Sequence, residues 1–260
     1  MSRLVLKSPA DLAIMHEANL VLRRVFDELR ERIRPGMTTA ELDALAERRI
    51  READGRPAFK GYPHRGGGPD FPGSVCASVN DEVVHGVPSR RVVLREGDIV
   101  SVDVGVLYRG FHGDMAETFA VGQVGEEATR LLDVTREALR RGVEQVQVGH
   151  RVSDIGYAVQ SWVESSGFAV VREFVGHGIG LELHEEPQVP NFGQPGRRER
   201  LVPGMVLAIE PMVNAGSAEV VLDADGLTAR TRDGRLSAHF ECCVAVTEAG
   251  PRVLGAPGSA

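Results

Sequence analysis

Apolar residues recur at Leu12, Met15, Ala18, Leu22, Val25, Phe26, Leu29 and Ile33, a three-and-four spacing that predicts an amphipathic helix. Ser8 and Pro9 supply its N-cap and first-turn proline, and Pro35-Gly36 a stop. Thr38 with Glu41 three residues on forms a capping-box signature. It opens a second helix through Leu42, Leu45, Ala46 and Ile50 that stops near Gly55. Residues 126–146 read as a third helix, and a fourth, capped at Ser153, ends near Gly167. Alternation and short apolar runs predict strands at Ser74–Val79, Ile99–Gly105, Phe168–Val175, Met205–Val213 and His239–Val246. Residues 60–74 are Gly/Pro-rich and read as a loop. Helices flanked by antiparallel-looking strands thus occur in both halves, with no tandem repeat and no separating linker. The pattern predicts one α+β domain spanning residues 1–260.

Composition narrows the function classes. Hydrophobic residues make up 42% and charged residues 26%, as in a soluble globular protein. The net charge of -7 argues against a nucleic-acid face, and Arg197, Arg198 and Arg200 in a Gly/Pro-rich loop read as solvated. Cys76, Cys242 and Cys243 are too few and too badly placed for a disulfide framework, which fits a reducing, cytoplasmic setting. Residues Met1 to Lys7 lack the apolar core of a signal peptide, and no apolar run reaches the ~20 residues of a membrane span.

Four acids and a histidine stand where charge is costly to bury without a partner: Asp103, Asp114, His177, Glu210 and Glu241. Ile99–Val104 alternates like a half-buried strand. If the chain folds back about the 108/109 bond through a four-residue loop, Leu107–Gly110, Asp103 lands opposite Asp114. Two such carboxylates would repel by ~4 kcal/mol at ~4 Å and an effective dielectric of ~20, a cost that a shared dication reverses. The alternative is a pair of solvated strand edges. His177 stands between glycines, where it is either a ligand or a turn histidine, and His184 follows seven residues on, a spacing that suits two ends of a loop. Glu210 and Glu241 lie in apolar, strand-like runs. Four carboxylates balance two dications. A mixed carboxylate–imidazole set accepts Mn, Fe, Co or Zn, and such a pair of ions points to hydrolysis.

The ordered stretches Asn80–Pro88, Asp98–Gly105, Gly113-Asp114, Gly176–Gly180 with His184–Pro187, Ile209–Pro211 and Ser237–Glu241 resemble those of the type I methionine aminopeptidases over nearly the whole chain. The resemblance implies the pita-bread fold: a curved antiparallel sheet with helices on its outer face, in two pseudo-symmetric halves. It implies Asp103, Asp114, His177, Glu210 and Glu241 as ligands of two divalent ions. Asp114 and Glu241 bridge, His177 and Glu210 complete one ion, and Asp103 completes the other. His85 and His184 are implied as catalytic and substrate-contacting groups near the scissile bond. Glu210 is the expected proton acceptor and relay. His177 and His184 are expected to polarise the carbonyl, and His85 to position or protonate the leaving nitrogen. The partner is a peptide or nascent-chain N-terminus, and any ribosome contact is transient; a monomer without membrane association is expected.

The chain departs from the family around the pocket for methionine. Tyr62 and Cys76 fit the aromatic and cysteine lining, whereas Phe59 stands where many members have cysteine. Residues Pro63–Asp70 look inserted, with Phe71 supplying the next aromatic. Leu227 replaces a pocket tryptophan, Leu183 a phenylalanine, and Cys242-Cys243 a His-Thr pair. The two cysteines read as small core residues, with a redox role as the alternative. Competing functions are an Xaa-Pro-type or otherwise specialised aminopeptidase with an altered pocket, and a non-catalytic binding protein on the same fold.

Overall fold

The computed structural model describes residues 4–63, 68 and 70–256. Four helices carry the outer layer: α1 (Pro9–Arg32), α2 (Thr39–Glu52), α3 (Glu126–Glu144) and α4 (Val152–Ser165). The strands are β1 (Arg56–Pro57), β2 (Val75–Val79), β3 (Glu82–Val84), β4 (Ile99–Tyr108), β5 (Phe111–Ala120), β6 (Ala169–Val170), β7 (Gly176–Gly178) and β8 (Glu185–Val189). There follow β9 (Val206–Ile209), β10 (Met212–Asn214), β11 (Val220–Leu222), β12 (Ala229–Thr231), β13 (Ser237–His239), β14 (Glu241–Thr247) and β15 (Gly250–Val253). Among the described residues, no helix is long and apolar enough to cross a membrane.

A nine-stranded antiparallel sheet runs β1-β4-β5-β14-β9-β7-β8, with β2 on β4 and β15 on β14. Its two wings come from the two halves of the chain and meet at β5 and β14. On the first wing, Val100, Val102, Val104 and Val106 turn outward against Leu22, Phe26 and Leu29 of α1 and Leu42 and Ile50 of α2. Phe26 stacks on Phe119 with centroids 6.2 Å apart. On the second, Leu207, Ile209, Val244 and Val246 pack with Val152 and Ile155 of α4. Period-2 alternation thus sends the apolar residues of each strand to the helices and leaves the other face for polar work.

Local signals at α1 and α2 are confirmed atom by atom. Ser8 and Thr38 each accept from the backbone of Asp11 and Glu41, whose carboxylates bond back to the cap residue. The fourth helix departs from expectation. Its cap is Arg151, whose N–H donates to Asp154, while Ser153 lies inside the first turn and bonds the backbone of Arg197. The Arg197–Arg200 loop is exposed.

Four expectations about the strands and their pairing are corrected. The β4–β5 turn holds two residues, Arg109 and Gly110, with φ of 48° and 87°. Both central residues of this tight hairpin require positive φ, and Asn-Gly is its usual signature. Arg109 tolerates that backbone while paired to Glu17 of α1 at 2.9 Å and stacked over Tyr108. The register is therefore two residues from the expected one: Asp103 faces Ala116 and Asp114 faces Gly105. An even shift keeps both acids on one face, as diagonal neighbours. The run Met205–Val213 breaks at Glu210-Pro211, and His239–Val246 breaks at Phe240. At both breaks the chain crosses between the large sheet, where β9 pairs β14, and a small one, where β10 pairs β13: leaving the large sheet after β9 and entering it at β14. Pro211 cannot donate to a ladder, which ends the first segment there. The expected strand Phe168–Val175 is ordered as a strand only over β6.

Gly105 occupies the spot beside Asp114 where a side chain would not fit. A Cβ there would lie 2.5 Å from Phe59 Cε1. Gly105→Ala is expected to lower unfolding stability by about 1–3 kcal/mol through overpacking, read as a lower urea midpoint at constant slope.

Candidate metal centre and substrate pocket

Strand register assembles the site. Cys76, Asp103, Ala116 and Glu241 form one row across β2, β4, β5 and β14. Cys243, Ala208 and His177 form a row on the same side across β14, β9 and β7. Asp114 is two residues from Ala116 and joins that face. Ala116, Ala208 and Gly105 separate the charged residues with little bulk. Glu210 follows β9 at the break, and Asn191, fully buried, donates to its carbonyl at 2.9 Å, satisfying the acceptor that the interrupted ladder leaves.

All five expected ligands converge. Single donor atoms of Asp114, His177 and Glu241 lie within 4.8 Å of one another. His177 Nε2 is 3.5 Å from Glu210 Oε1 and 3.9 Å from Asp114 Oδ2. Asp103 is the diagonal neighbour of Asp114 across the β4–β5 ladder. His177 Nδ1 lies 2.8 Å from the Gly178 carbonyl, which can only accept, so the ring proton sits on Nδ1 and the Nε2 lone pair faces the acids. This tautomer corrects one expectation: with its N–H committed to Gly178 and its lone pair to the cluster, His177 has no proton left to polarise a carbonyl. Burial pushes its pKa down to about 4, which keeps the ring neutral and able to ligate.

Burial raises every acid of the group. Desolvation pushes Asp103 up to about 7, and desolvation followed by repulsion from the neighbouring acids pushes Asp114, Glu210 and Glu241 well above the usual carboxylate range. Asp103 Oδ1 and Glu241 Oε1 are buried with no hydrogen-bond partner. Orphaned oxygens, one neutral imidazole and clustered acids fit a divalent cation and are costly without one.

Sequence reasoning missed His239. It is 2% exposed, and its Nε2, buried without a hydrogen-bond partner, lies 3.9 Å from Glu241 Oε2 and 4.0 Å from Glu210 Oε2. Its two-residue spacing from Glu241 was the available signal. Burial, then the nearby His85, push its pKa down to about 3.

His184 sits just before β8 with its ring 4.4 Å from that of His177, and Tyr62 Oη lies 2.6 Å from His184 Nδ1. His85, at φ 61°, packs edge-on against Phe174 at 5.3 Å, and its carbonyl accepts from Thr228. Phe59, Phe71, Cys76, Tyr62 and Leu227 all fall in one apolar cluster, joined by Leu183, Ile179 and Val87. Of the expected insertion Pro63–Asp70, residues 64–67 and 69 lie outside the described residues. Both Cys242 and Cys243 are free thiols held protonated by burial, the former pushed up to about 12, as small core residues would be.

The model of the metallopeptidase family M24 matches residues 13–248. The Bacillus subtilis protein "Methionine aminopeptidase 1" is 48% identical over 251 residues, 96% of this chain and 98% of its own length. "Methionine aminopeptidase" of Clostridium acetobutylicum is 47% identical over the same shares. The crystal structure of a methionine aminopeptidase from Thermotoga maritima superposes with a TM-score of 0.93 at 43% identity, covering 97% of this chain and 99% of that one. An X-Pro aminopeptidase from Thermotoga maritima shares the fold at a TM-score of 0.74 and 21% identity, and the match spans 61% of its length.

In the metal-free fold the acids retain protons that the unfolded chain releases above pH ~4, so stability falls as pH rises from there to their folded pKa values and levels off above them. The buried histidines act in the opposite sense, but only below their ordinary 6.5. Between pH 6.5 and about pH 8 the acids act alone. The Tm of chelator-treated protein is expected to fall across that window, and Mn or Co to abolish the fall while calorimetry records proton release. A Tm that stays flat on chelation would contradict the centre.

Proposed function

The chain belongs to metallopeptidase family M24 and is a methionine-removing aminopeptidase, and we propose how its own residues perform that reaction. Asp103, Asp114, His177, Glu210 and Glu241 would together hold a pair of divalent ions, four carboxylates balancing their charge. The observation that carries this reading is the convergence of the Asp114, His177 and Glu241 donor atoms within 4.8 Å, beside a Glu241 Oε1 that has no hydrogen-bond partner. When bound, the ions supply positive charge that acidifies water and stabilises negative charge on a carbonyl oxygen.

Glu210 takes the proton of the attacking water. Its carboxylate lies between His177 and His239, with Oε1 3.5 Å from the His177 Nε2 and Oε2 4.0 Å from the His239 Nε2, on the face where the acids converge. His184 stabilises the oxyanion. The Tyr62 hydroxyl lies 2.6 Å from its Nδ1, and in the tautomer in which Tyr62 donates there, Nε2 carries the proton that faces the oxyanion. His85 protonates the leaving nitrogen. The methionine side chain lies against Phe59, Phe71, Cys76, Tyr62 and Leu227, gathered around the same face as the acids. The substrates are proteins or peptides whose second residue is small. We place the enzyme in the cytoplasm as a monomer, where its three free thiols stay reduced and it meets nascent chains through transient ribosome contact.

Met-Ala-Ser is expected to be cleaved with added Co or Mn, and Met-Leu-Ser and Ala-Pro-Ser to be left intact. Cleavage of Ala-Pro-Ser alone would assign the site to Xaa-Pro chemistry, and no cleavage with either ion to a binding role. Glu210→Gln is expected to lower kcat by about 10²–10⁴-fold; near-normal kcat would remove Glu210 from the proton-transfer role.

A further inference from the structure

An ion pair lies buried behind the active-site loop. Lys7 Nζ donates to Glu185 Oε2, and the two side chains are only 2% and 7% exposed. Lys7 comes from the segment ahead of α1, whose residues Leu4, Val5 and Leu6 are largely exposed. It crosses the glycine of the loop between β7 and β8: a Cβ on Gly180 would lie 2.2 Å from Lys7 Cε. Its second acceptor is the Val5 carbonyl at 3.0 Å, and its own N–H donates to Gly204 at 2.8 Å. Glu185 uses both oxygens, because Oε1 accepts from the Glu182 N–H at 3.2 Å across the turn that ends in His184.

Backbone bonds fix the start of the loop 179–184: Ile179 donates to Val206, and the Gly180 carbonyl accepts from His112. At its end, where His184 stands, buried Leu183 and the Tyr62 hydroxyl act beside the Glu185 carboxylate, which ties the turn at Glu182 to Lys7. A buried ion pair is weak evidence for stability, since apolar residues of like volume serve as well. Its value is geometric, because a charged acceptor that needs two donors tolerates few loop shapes.

We propose that Lys7 and Glu185 are positioning residues that set the height and orientation of the His184 imidazole over the metal centre. This rests on the assignment of His184 to the oxyanion. Lys7 meets the loop at Gly180 and through Glu185, which directly follows His184 at the start of β8, so the shortest route from Lys7 to the reacting groups is through the position of His184. Misplacement of a catalytic group by ~1 Å can cost up to ~10²-fold in rate.

The test is a set of full-length variants assayed on Met-Ala-Ser with Mn. Lys7→Met is expected to lower kcat by about tenfold with KM and Mn affinity unchanged, and Lys7→Arg to restore most of the loss. In a His184→Ala background, Lys7→Met is expected to add nothing. The neutral pair Lys7→Met with Glu185→Gln removes the buried charge and serves if Lys7→Met alone fails to fold. Wild-type kcat in Lys7→Met, or an equal loss with and without His184, would overturn the proposal. An activity-independent readout is the ¹⁵N-imidazole spectrum of His184, expected to shift in Lys7→Met while that of His177 stays in place. If the wild type cleaves no methionyl peptide, the functional reading fails, and this spectrum decides the positioning role: an unmoved His184 signal refutes it.

Discussion

The fold gathers four carboxylates on one buried face of a sheet, and everything else about the molecule accommodates that concentration of like charge. Two unit charges about 4 Å apart repel by ~4 kcal/mol at an effective dielectric of ~20. Water is too scarce at Asp114 and Glu241, 3% and 4% exposed, to screen them. The protein has three answers. It binds protons, which is why burial lifts each acid toward neutral pH or beyond. It offers imidazoles that burial keeps uncharged. It leaves oxygens without hydrogen-bond partners that a dication would satisfy. An arrangement so poor for stability by itself is what a metal site with high intrinsic affinity requires.

The rest of the architecture supplies the rigidity that such a cluster needs. The outer faces of β4, β5, β9 and β14 are nearly all aliphatic and lock against four helices, so the backbone carrying the acids has little freedom. On the inner face, Ala116, Ala208 and Gly105 keep the rows open. The breaks at Glu210-Pro211 and Phe240 turn the sheet corner at the two places where an acid must leave the plane of the ladder or enter it. Glu210 gains its reach from that interruption, and Asn191 meets the resulting carbonyl.

Sequence alone carried the local and chemical features, while geometry set by distant contacts escaped it. Both capping boxes were legible because cap and N3 acid lie three residues apart. The five candidate ligands were legible because a charge in an apolar run is conspicuous wherever the run goes. The hairpin register was not, because Arg109-Gly110 lacks the usual turn signature and its backbone is held by Glu17, 92 residues away. The strand breaks were hidden for a related reason: Met205–Val213 and His239–Val246 stay apolar across the corner, since both sides of it are buried. A two-residue register error left the same-face deduction intact, because strand alternation has period two. His239 went unnoticed because a neutral imidazole beside an obvious acid adds no charge anomaly.

The same logic separates chemistry from specificity within this fold. The X-Pro aminopeptidase shares the architecture at 21% identity, so the sheet and its helices do not select a substrate. On the reading proposed above, selection falls to side chains on the rim, Phe59, Phe71, Tyr62, Leu183 and Leu227 around Cys76, which share one apolar cluster. Of these, Phe59 leans over Gly105, the residue paired with Asp114, and Tyr62 bonds His184. The walls of the pocket are therefore in contact with the groups that do the chemistry. A change of pocket shape reaches the catalytic geometry through two direct contacts, which couples specificity to rate and limits how far the rim can drift while turnover is kept.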